Sequence, residues 1–260
     1  MNFQEYQNIL YKTLTDARMQ FLELNKASGN TLDFNTELNF VYQIVMSGVN
    51  VQNSYPYTPL ESIKQAFLKI AKTGLSIDPK EQLCYLRTEF NHLTSCYCTV
   101  LDFGYKGLLK LTSRSGKVVV TSANVFYEKD TFCYNGQFEK VTHKMHVLSQ
   151  NARGNLAGGY CETLLNDGTY ITTVMPPEEI LVIEEMGKEA GNQAWNSAFV
   201  DQMRIKTLIK RHWKTLCTII YAGTPLEDPD LLEEEPLPDT YAVSGDTVVG
   251  FSSPYSAGEY

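Results

Sequence analysis

A block of β-strand signals, Gln82–Thr173, lies between two helical regions, and this order limits the possible folds more than any other feature of the sequence. Short segments in the block are rich in β-branched and aromatic residues, and the last two flank Asn166-Asp167-Gly168, a typical hairpin turn. The predicted strands are Leu83–Arg87, Ser95–Asp102, Lys117–Phe126, Thr131–Tyr134, Gly159–Leu165 and Tyr170–Met175. Because strands joined by short turns pair antiparallel, we expect a central, mostly antiparallel meandering sheet. The pattern of Tyr105–Ser113 predicts a helix between its strands.

Amphipathic helical patterns on both sides of this block complete an α+β fold. N-terminal helices fill the first 50 residues, a further helix ends at Gly74, and C-terminal helices follow Pro176-Pro177, the last running from Trp195 to about Ile219. We divide the chain into three parts, namely an N-terminal helical region with possible oligomer contacts (1–54), a core (55–224) and an acidic, disordered tail (225–260).

Residues 203–214, MRIKTLIKRHWK, carry five positive charges and no negative one in a chain whose formal net charge is −8. At about 100° per residue, these five cations fall within an arc of roughly 160° on a helix. The opposite arc contains Ile205, Leu208, Ile209, Trp213 and Leu216. One face would therefore pack while the other presents cations. The cationic face is either a solvated surface or an anion-binding surface, and solvated surface helices normally mix charges of both signs.

A second cationic pattern lies in the predicted helix Tyr105–Ser113. Lys106 and Lys110 are four residues apart, and Arg114 follows one turn later on the same face. The neighbouring rings of Phe103 and Tyr105 are candidates for stacking on nucleic-acid bases, although Phe103 fits equally well as a core residue at the end of a strand. The glycines at positions 104 and 107 predict a close backbone approach or a tight strand-to-helix turn.

The negative charge of the chain is concentrated near its C-terminus. Residues 226–260 contain nine acidic residues and no Lys or Arg. Since the whole chain has 22 basic and 30 acidic residues, residues 1–225 have 22 basic and 21 acidic ones, a net charge of +1. A body with nearly balanced charge can still have a strongly basic groove. The acidic segment either keeps the chain in solution, competes for the basic surface or docks a protein partner.

Catalytic motifs are missing from the sequence. It contains no GxxxxGK[ST], GxGxxG or GxSxG, which are typical of ATP binding, dinucleotide binding and a nucleophile elbow. His143 and His146 could bind a metal together with Glu139 or Cys133, but their spacing in a strand would direct the two rings to opposite faces. We therefore expect no catalytic residues and no metal site.

The cysteines and the apolar residues indicate a cytosolic chain. Six cysteines without a CxxC pair are expected to be reduced thiols, with three disulfides as the alternative. There is no run of 18 apolar residues, and the mixed, polar start MNFQEYQNILYK does not resemble a signal peptide. We expect neither a membrane span nor export.

Seven ordered blocks of the sequence resemble the RecT family of phage and prophage single-strand annealing proteins, between about Leu60 and Leu216. They are AKTGLSIDP (71–79), GYKGLLKLTSRSGKV (104–118), VFYEKDTFCYNG (125–136), His143, RGNLAGGY (153–160), DGTYITTVMPPEEI (167–180) and AWNSAFVDQMRIKTLIKRHWK (194–214). The shared order and spacing of the seven blocks are a more specific sign of the resemblance than any single block. The segment Leu83–His92 departs from the family pattern.

The resemblance implies the RecT/Red beta-like annealing fold and an ATP-independent recombinase that is not an enzyme. Such a protein binds single-stranded DNA, pairs it with a complementary strand and holds the annealed duplex in a basic groove, with Mg²⁺ as a possible aid. The implied partners are further copies of the chain in a ring or helical filament, a 5′→3′ exonuclease and the host single-strand-binding protein. The implied location is the cytoplasm of a bacterial host, with a phage or prophage gene.

The cationic patterns then become a candidate DNA-binding surface. Its predicted residues are Tyr105, Lys106, Lys110, Arg114, Arg153, Arg204, Lys206, Lys210, Arg211 and Lys214. The alternatives are an adaptor protein whose basic face docks an acidic partner, and a metal-dependent nuclease that uses the region of Glu139, His143 and His146.

Overall fold

Helices come first, strands lie in the middle and helices come last, in the predicted order. The computed structural model describes residues 3–48, 58–149 and 152–221. The α-helices in these ranges are α1 (Phe3–Asp16), α2 (Arg18–Ala27), α3 (Phe34–Ser47), α4 (Leu60–Thr73), α5 (Tyr105–Arg114), α6 (Pro177–Glu189) and α7 (Val200–Ile220). The strands are β1 (Cys84–Asn91), β2 (Cys96–Phe103), β3 (Val118–Tyr127), β4 (Thr131–Cys133), β5 (Thr142–Lys144), β6 (Leu156–Leu165) and β7 (Tyr170–Met175). The predicted α+β class is confirmed.

The chain divides into two compact units, Met1–Leu111 and Thr112–Tyr260, and the division falls inside α5. The predicted boundaries near residues 54 and 225 and the predicted acidic tail lie outside the described residues. Those three parts of the chain therefore stay predictions.

Three phenylalanine rings form the centre of the first unit. Phe21 in α2 stacks on Phe67 in α4 with 4.8 Å between ring centroids. Phe34, the first residue of α3, meets both rings edge-on at 5.4 and 5.7 Å. Ile63 and Ile70 lie on the same face of α4 and are fully buried. The amphipathic pattern of this helix thus corresponds to a face buried in the core.

Local sequence signals set the helix ends. Gly74 follows α4 with a φ of 64°, a left-handed conformation that favours glycine, and its amide donates to the carbonyl of Ile70 at 2.8 Å. Asp33 caps α3 by accepting a hydrogen bond from the amide of Thr36 at 2.8 Å. Helix α6 begins at Pro177, whose fixed φ suits a first helical turn.

The strands form three small antiparallel sheets instead of one continuous meander. In the first unit β1 pairs with β2. In the second unit β3, β6 and β7 form a sheet in the order β3–β6–β7, and the hairpin β4–β5 is inserted between β3 and β6. Short connections explain the antiparallel pairs β1–β2 and β6–β7. The predicted meander is interrupted because α5 follows β2, and because β3 pairs with β6, which lies beyond the inserted hairpin.

Helix α7 packs on the three-stranded sheet and contacts all of its strands. Its close approach to β6 depends on Gly159, where an added Cβ would lie 2.6 Å from Leu208 Cδ1. On the hairpin β4–β5, the ring of Phe132 stacks on Phe126 of β3 with 3.8 Å between centroids. These contacts give the second unit its core.

Among the helices in the described ranges, none combines the length and the apolar character needed to cross a membrane.

Candidate nucleic-acid interface

The apolar side of α7 is core, as its periodicity predicts. Leu208, Ile209, Trp213 and Leu216 are all buried. Because these residues recur every three or four positions, the helix has a fixed rotation on the sheet. The opposite side of α7 is therefore held toward solvent.

Four of the five predicted cations of α7 lie on this outer side. Lys210 is exposed, and Lys206, Arg211 and Lys214 are partly exposed. Three of them are four residues apart, which separates them by about 6 Å along the helix axis. The outer side of α7 thus presents a row of cations, here called the α7 cation face and defined as Lys206, Lys210, Arg211 and Lys214.

An exposed ion pair partly neutralises this face. Arg211 donates to Glu179 of α6 at 2.5 Å, and the two side chains are 35% and 47% exposed. Exposed ion pairs of this kind contribute about 0–1 kcal/mol. A phosphate group could therefore replace the Glu179 carboxylate at little cost in stability.

Arg204, the fifth predicted cation of α7, turns inward. Its side chain is 9% exposed and donates to Glu184 at 2.7 Å and to Asp201 at 2.9 Å. Burial alone would raise the pKa of Glu184, but hydrogen bonds from Lys188 and Arg204 lower it below its ordinary value. In this structure Arg204 joins α7 to α6 and is not presented for phosphate contact.

Arg153 is also buried in an ion pair. Its Nε donates to Asp130 Oδ1 at 2.9 Å, a second nitrogen bonds the same carboxylate, and the guanidinium lies 4.4 Å from the ring centroid of Tyr127. Burial opposes ionisation of Asp130, but hydrogen bonds from Arg153, the Tyr127 amide and His143 hold its pKa below the usual value. Arg153 thus fixes the turn that follows β3.

Helix α5 carries the second predicted group of cations. Lys106 is exposed and donates to Gln82 Oε1 at 2.8 Å. Lys110 forms an ion pair of 3.3 Å with Glu81, in which the side chains are 41% and 47% exposed. Tyr105 is partly exposed and Arg114 is exposed. The α5 cations therefore reach solvent on one side of their helix, as predicted.

The start of α5 is fixed by close backbone packing. An added Cβ at Gly107 would lie 2.1 Å from the carbonyl oxygen of Leu83, and one at Gly104 would lie 2.7 Å from that of Gln82. The amide of Gly104 donates to Leu83 at 2.9 Å. Phe103 is buried beneath Lys69 and does not offer a stacking surface. The predicted close approach at both glycines is confirmed, and the core alternative for Phe103 is the correct one.

Lys117 and His212 support α7 and were not identified from the sequence. Lys117 donates to the carbonyl of Ile220 at 2.5 Å and places a positive charge at the negative end of the helix dipole. His212 is 1% exposed, and its two ring nitrogens lie 2.8 Å from Thr163 Oγ1 and 2.9 Å from Thr173 Oγ1. Burial lowers the pKa of His212 from 6.5 to about 4, so the ring is neutral at pH 7. The burial of His212 had one signal in the sequence, which is the position of this residue on the apolar arc of α7.

The histidines considered for a metal site have separate partners. His143 lies 3.4 Å from Asp130 and 3.3 Å from the hydroxyl of Tyr160, whereas His146 bonds the hydroxyl of Thr131 at 2.8 Å. Across residues 3–48, 58–149 and 152–221, no group of three or more His, Cys, Asp or Glu side chains is arranged to hold a metal ion.

Comparison with known proteins gives one family. The RecT family model matches residues 20–227 of the chain, a range that includes all ten predicted site residues. The chain is also similar to Protein RecT of Escherichia coli (strain K12), with 31% identity over 117 residues. The aligned part is 45% of this chain and 42% of that protein, so the similarity spans less than half the length of the relative.

Proposed function

The chain belongs to the RecT family, and from that premise we propose that it binds single-stranded DNA and anneals complementary strands in homologous recombination without ATP. The observation that carries the proposal is the α7 cation face, held toward solvent by the buried side of the same helix. The proposed reaction is association of strands, with no covalent bond made or broken.

Annealing places two requirements on a protein surface. It must reduce the repulsion between two polyanionic strands, and it must leave the base edges available for pairing. Contacts to phosphates satisfy both, because they position a strand without reading its sequence. Lys and Arg side chains also release the counterions of the phosphates that they neutralise, which favours binding.

The proposed DNA contacts differ from the sequence prediction at two positions. They are Tyr105, Lys106, Lys110 and Arg114 on α5 and Lys206, Lys210, Arg211 and Lys214 on α7. Arg153 and Arg204 are left out, because each would have to leave a buried carboxylate to reach a phosphate. Leaving a buried charge without its partner costs about 3–5 kcal/mol.

Tyr105 is proposed as a stacking residue beside the α5 cations. Its side chain is partly exposed at the first position of the helix. Stacking of a base on an aromatic side chain contributes about 1–3 kcal/mol and tolerates any sequence.

The assembly and the partners of the chain are also part of the proposal. Copies of the chain would form a ring or a helical filament, so that the cations of neighbouring copies follow one DNA strand. The proposed partners are a 5′→3′ exonuclease, which supplies the single strand, and a host single-strand-binding protein, in the cytoplasm of a bacterium. Mg²⁺ would assist by screening phosphate repulsion.

Binding of labelled oligonucleotides of increasing length tests this function. We expect fluorescence anisotropy to show binding that tightens with length, weakens with salt and needs no nucleotide. The strands should remain intact on a denaturing gel in the presence of Mg²⁺ or Mn²⁺. Absence of binding at low salt would contradict the proposal and favour an adaptor, and cut strands would favour a nuclease.

A further inference from the structure

The loop between β4 and β5, residues 134–141, is fixed along the outer edge of β7. The amide of Thr172 donates to the carbonyl of Gln137 at 2.7 Å, and the hydroxyl of Thr172 donates to the carbonyl of Glu139 at 2.9 Å. Farther along, the amide of Val141 donates to Glu162 at 3.4 Å, and the Val141 side chain is buried. The loop backbone is therefore held at three points.

An exposed aromatic ring lies between two of these points. Phe138 follows Gln137 and precedes Glu139, and its side chain is 60% exposed. Tyr134, at the start of the same loop, is 45% exposed. Large apolar groups that a fixed backbone presents to water are informative about binding, because little conformational entropy remains to be lost when a partner covers them.

Cations accompany these rings. Lys140 is exposed, and its ammonium lies 5.8 Å from the ring centroid of Tyr170. Lys144 is exposed on the outer face of the hairpin, because Phe132 and His143 on the inner face pack against Tyr160.

Exposed cations outnumber exposed acidic groups on the β4–β5 hairpin and its loop. Glu139 is the exposed acid of the loop, whereas Asp130 is paired with Arg153. Two exposed lysines therefore accompany one exposed carboxylate. A surface that docks an apolar protein partner would not need these cations. Aromatic rings beside cations suit a single strand of DNA, because the rings can stack on its bases and the cations can contact its phosphates.

We propose that the β4–β5 loop is an additional contact for single-stranded DNA, in which Phe138 stacks on a base and Lys140 and Lys144 contact adjacent phosphates. This inference rests on the proposed function and adds to it a site outside the α5 and α7 helices. Tyr134 supplies a second ring for a neighbouring base. The contact is independent of sequence, since every base has a face on which a ring can stack.

A tryptophan at position 138 tests the stacking directly. The two native tryptophans, Trp195 and Trp213, are 6% and 4% exposed, so a Phe138→Trp variant adds an exposed fluorophore. We expect oligothymidine to quench its emission along the same titration curve that anisotropy gives for binding. Met19→Trp, on an α2 side chain that is 67% exposed, is the matched control and should not be quenched.

The affinity of Phe138→Ala completes the test. Loss of one stacked base should raise the Kd for oligothymidine at least fivefold, and Phe138→Trp should bind like the native chain. Native affinity of Phe138→Ala together with unquenched emission of Phe138→Trp would overturn the inference and leave the proposed function intact. A changed sedimentation coefficient with unchanged DNA affinity would also overturn it, by identifying a second copy of the chain as the occupant. If the native chain binds no DNA, the proposed function and this inference fail together.

Discussion

The hydroxyl of Tyr127 donates a hydrogen bond to the carboxylate of Asp201, with 2.7 Å between the two oxygens, and this bond joins the end of β3 to the first turn of α7. The same hydroxyl accepts from Arg204 at 3.3 Å, and Arg204 continues to Glu184 of α6. Arg153 lies over the Tyr127 ring. The direction of the α7 cation face thus depends on a buried polar network that contains none of its four cations.

Replacing Tyr127 with Phe removes the hydroxyl and keeps the ring. Since hydrogen bonds to charged groups contribute about 1.5–3 kcal/mol, we expect the free energy of unfolding of the second unit to fall by about 2 kcal/mol. Both tryptophans of the chain lie in that unit, so tryptophan fluorescence in a urea titration measures it. Tyr134→Phe, at an exposed position, should have no effect. Equal stability of the two variants would show that the Tyr127 hydroxyl contributes nothing.

We expect the loss of Arg204 to reduce the stability of the fold more than it weakens DNA binding. Arg204→Ala leaves Glu184 buried without its guanidinium partner, and we expect a loss of about 3–5 kcal/mol in urea unfolding. Lys210→Ala, on the outer side of the same helix, should change stability by less than about 0.5 kcal/mol. If Arg204→Ala were as stable as the native chain but bound DNA with a flatter salt dependence, Arg204 would be a phosphate contact after all.

The pH dependence of stability should show the buried His212. Burial lowers the pKa of His212 to about 4, whereas in the unfolded chain it returns to about 6.5, so unfolding takes up a proton between these values. The stability that comes from the unprotonated, buried His212 is complete above pH 6.5 and is lost as the pH falls toward 4. From this source the free energy of unfolding should fall by about 2 kcal/mol between pH 7 and pH 5.

A pair of histidine variants isolates this contribution. Urea unfolding of His212→Gln should lack the part of the pH dependence that the native chain loses between pH 7 and pH 5. His146→Gln, in which the replaced side chain is exposed, should retain the native dependence. Identical pH profiles for the native chain and His212→Gln would contradict the neutral, buried state of this ring.

Salt dependence of DNA binding tests the α7 cation face. For a single strand, each phosphate contact adds about 0.7 to the magnitude of the slope of log K against log salt. Lys206→Ala combined with Lys210→Ala should therefore flatten the slope by roughly 1–1.5. Lys12→Ala combined with Lys26→Ala removes two exposed lysines from α1 and α2 and should leave the slope unchanged. A native slope in a folded Lys206/Lys210 variant would remove α7 from the interface.

The sequence predicted most elements because their signals are local. Each predicted strand overlaps an observed one, and α5 differs from the prediction by one residue at its C-terminal end. The strand β5 was missed, since three residues, Thr142–Lys144, carry too little periodicity to be recognised. The division into three sheets depends on long-range pairing of β3 with β6, which no local pattern encodes.

The exposure of the candidate site residues was predictable where helix geometry decides it, and less so where ion pairs decide it. Lys210 and Lys214 lie well inside the cationic arc of α7 and Lys206 lies at one edge of it, and the structure leaves all three at least partly exposed. Arg204 lies at the opposite edge of that arc, where a buried Glu184 20 residues earlier in the chain draws it inward. Arg153 likewise pairs with an acid far from it in sequence, so neither burial could be read from the basic residue alone.

The central claim is that the chain anneals strands through the α5 cations and the α7 cation face. It is tested most directly by energy transfer between two complementary, end-labelled oligonucleotides. A length of about 80 nucleotides offers many phosphate contacts. The native chain should accelerate pairing without ATP, the Lys206→Ala/Lys210→Ala/Lys214→Ala variant should be markedly slower, and the Lys12→Ala/Lys26→Ala control should match the native rate. Pairing at the uncatalysed rate in the presence of native protein that binds both strands would contradict the account and leave a chain that only coats single-stranded DNA.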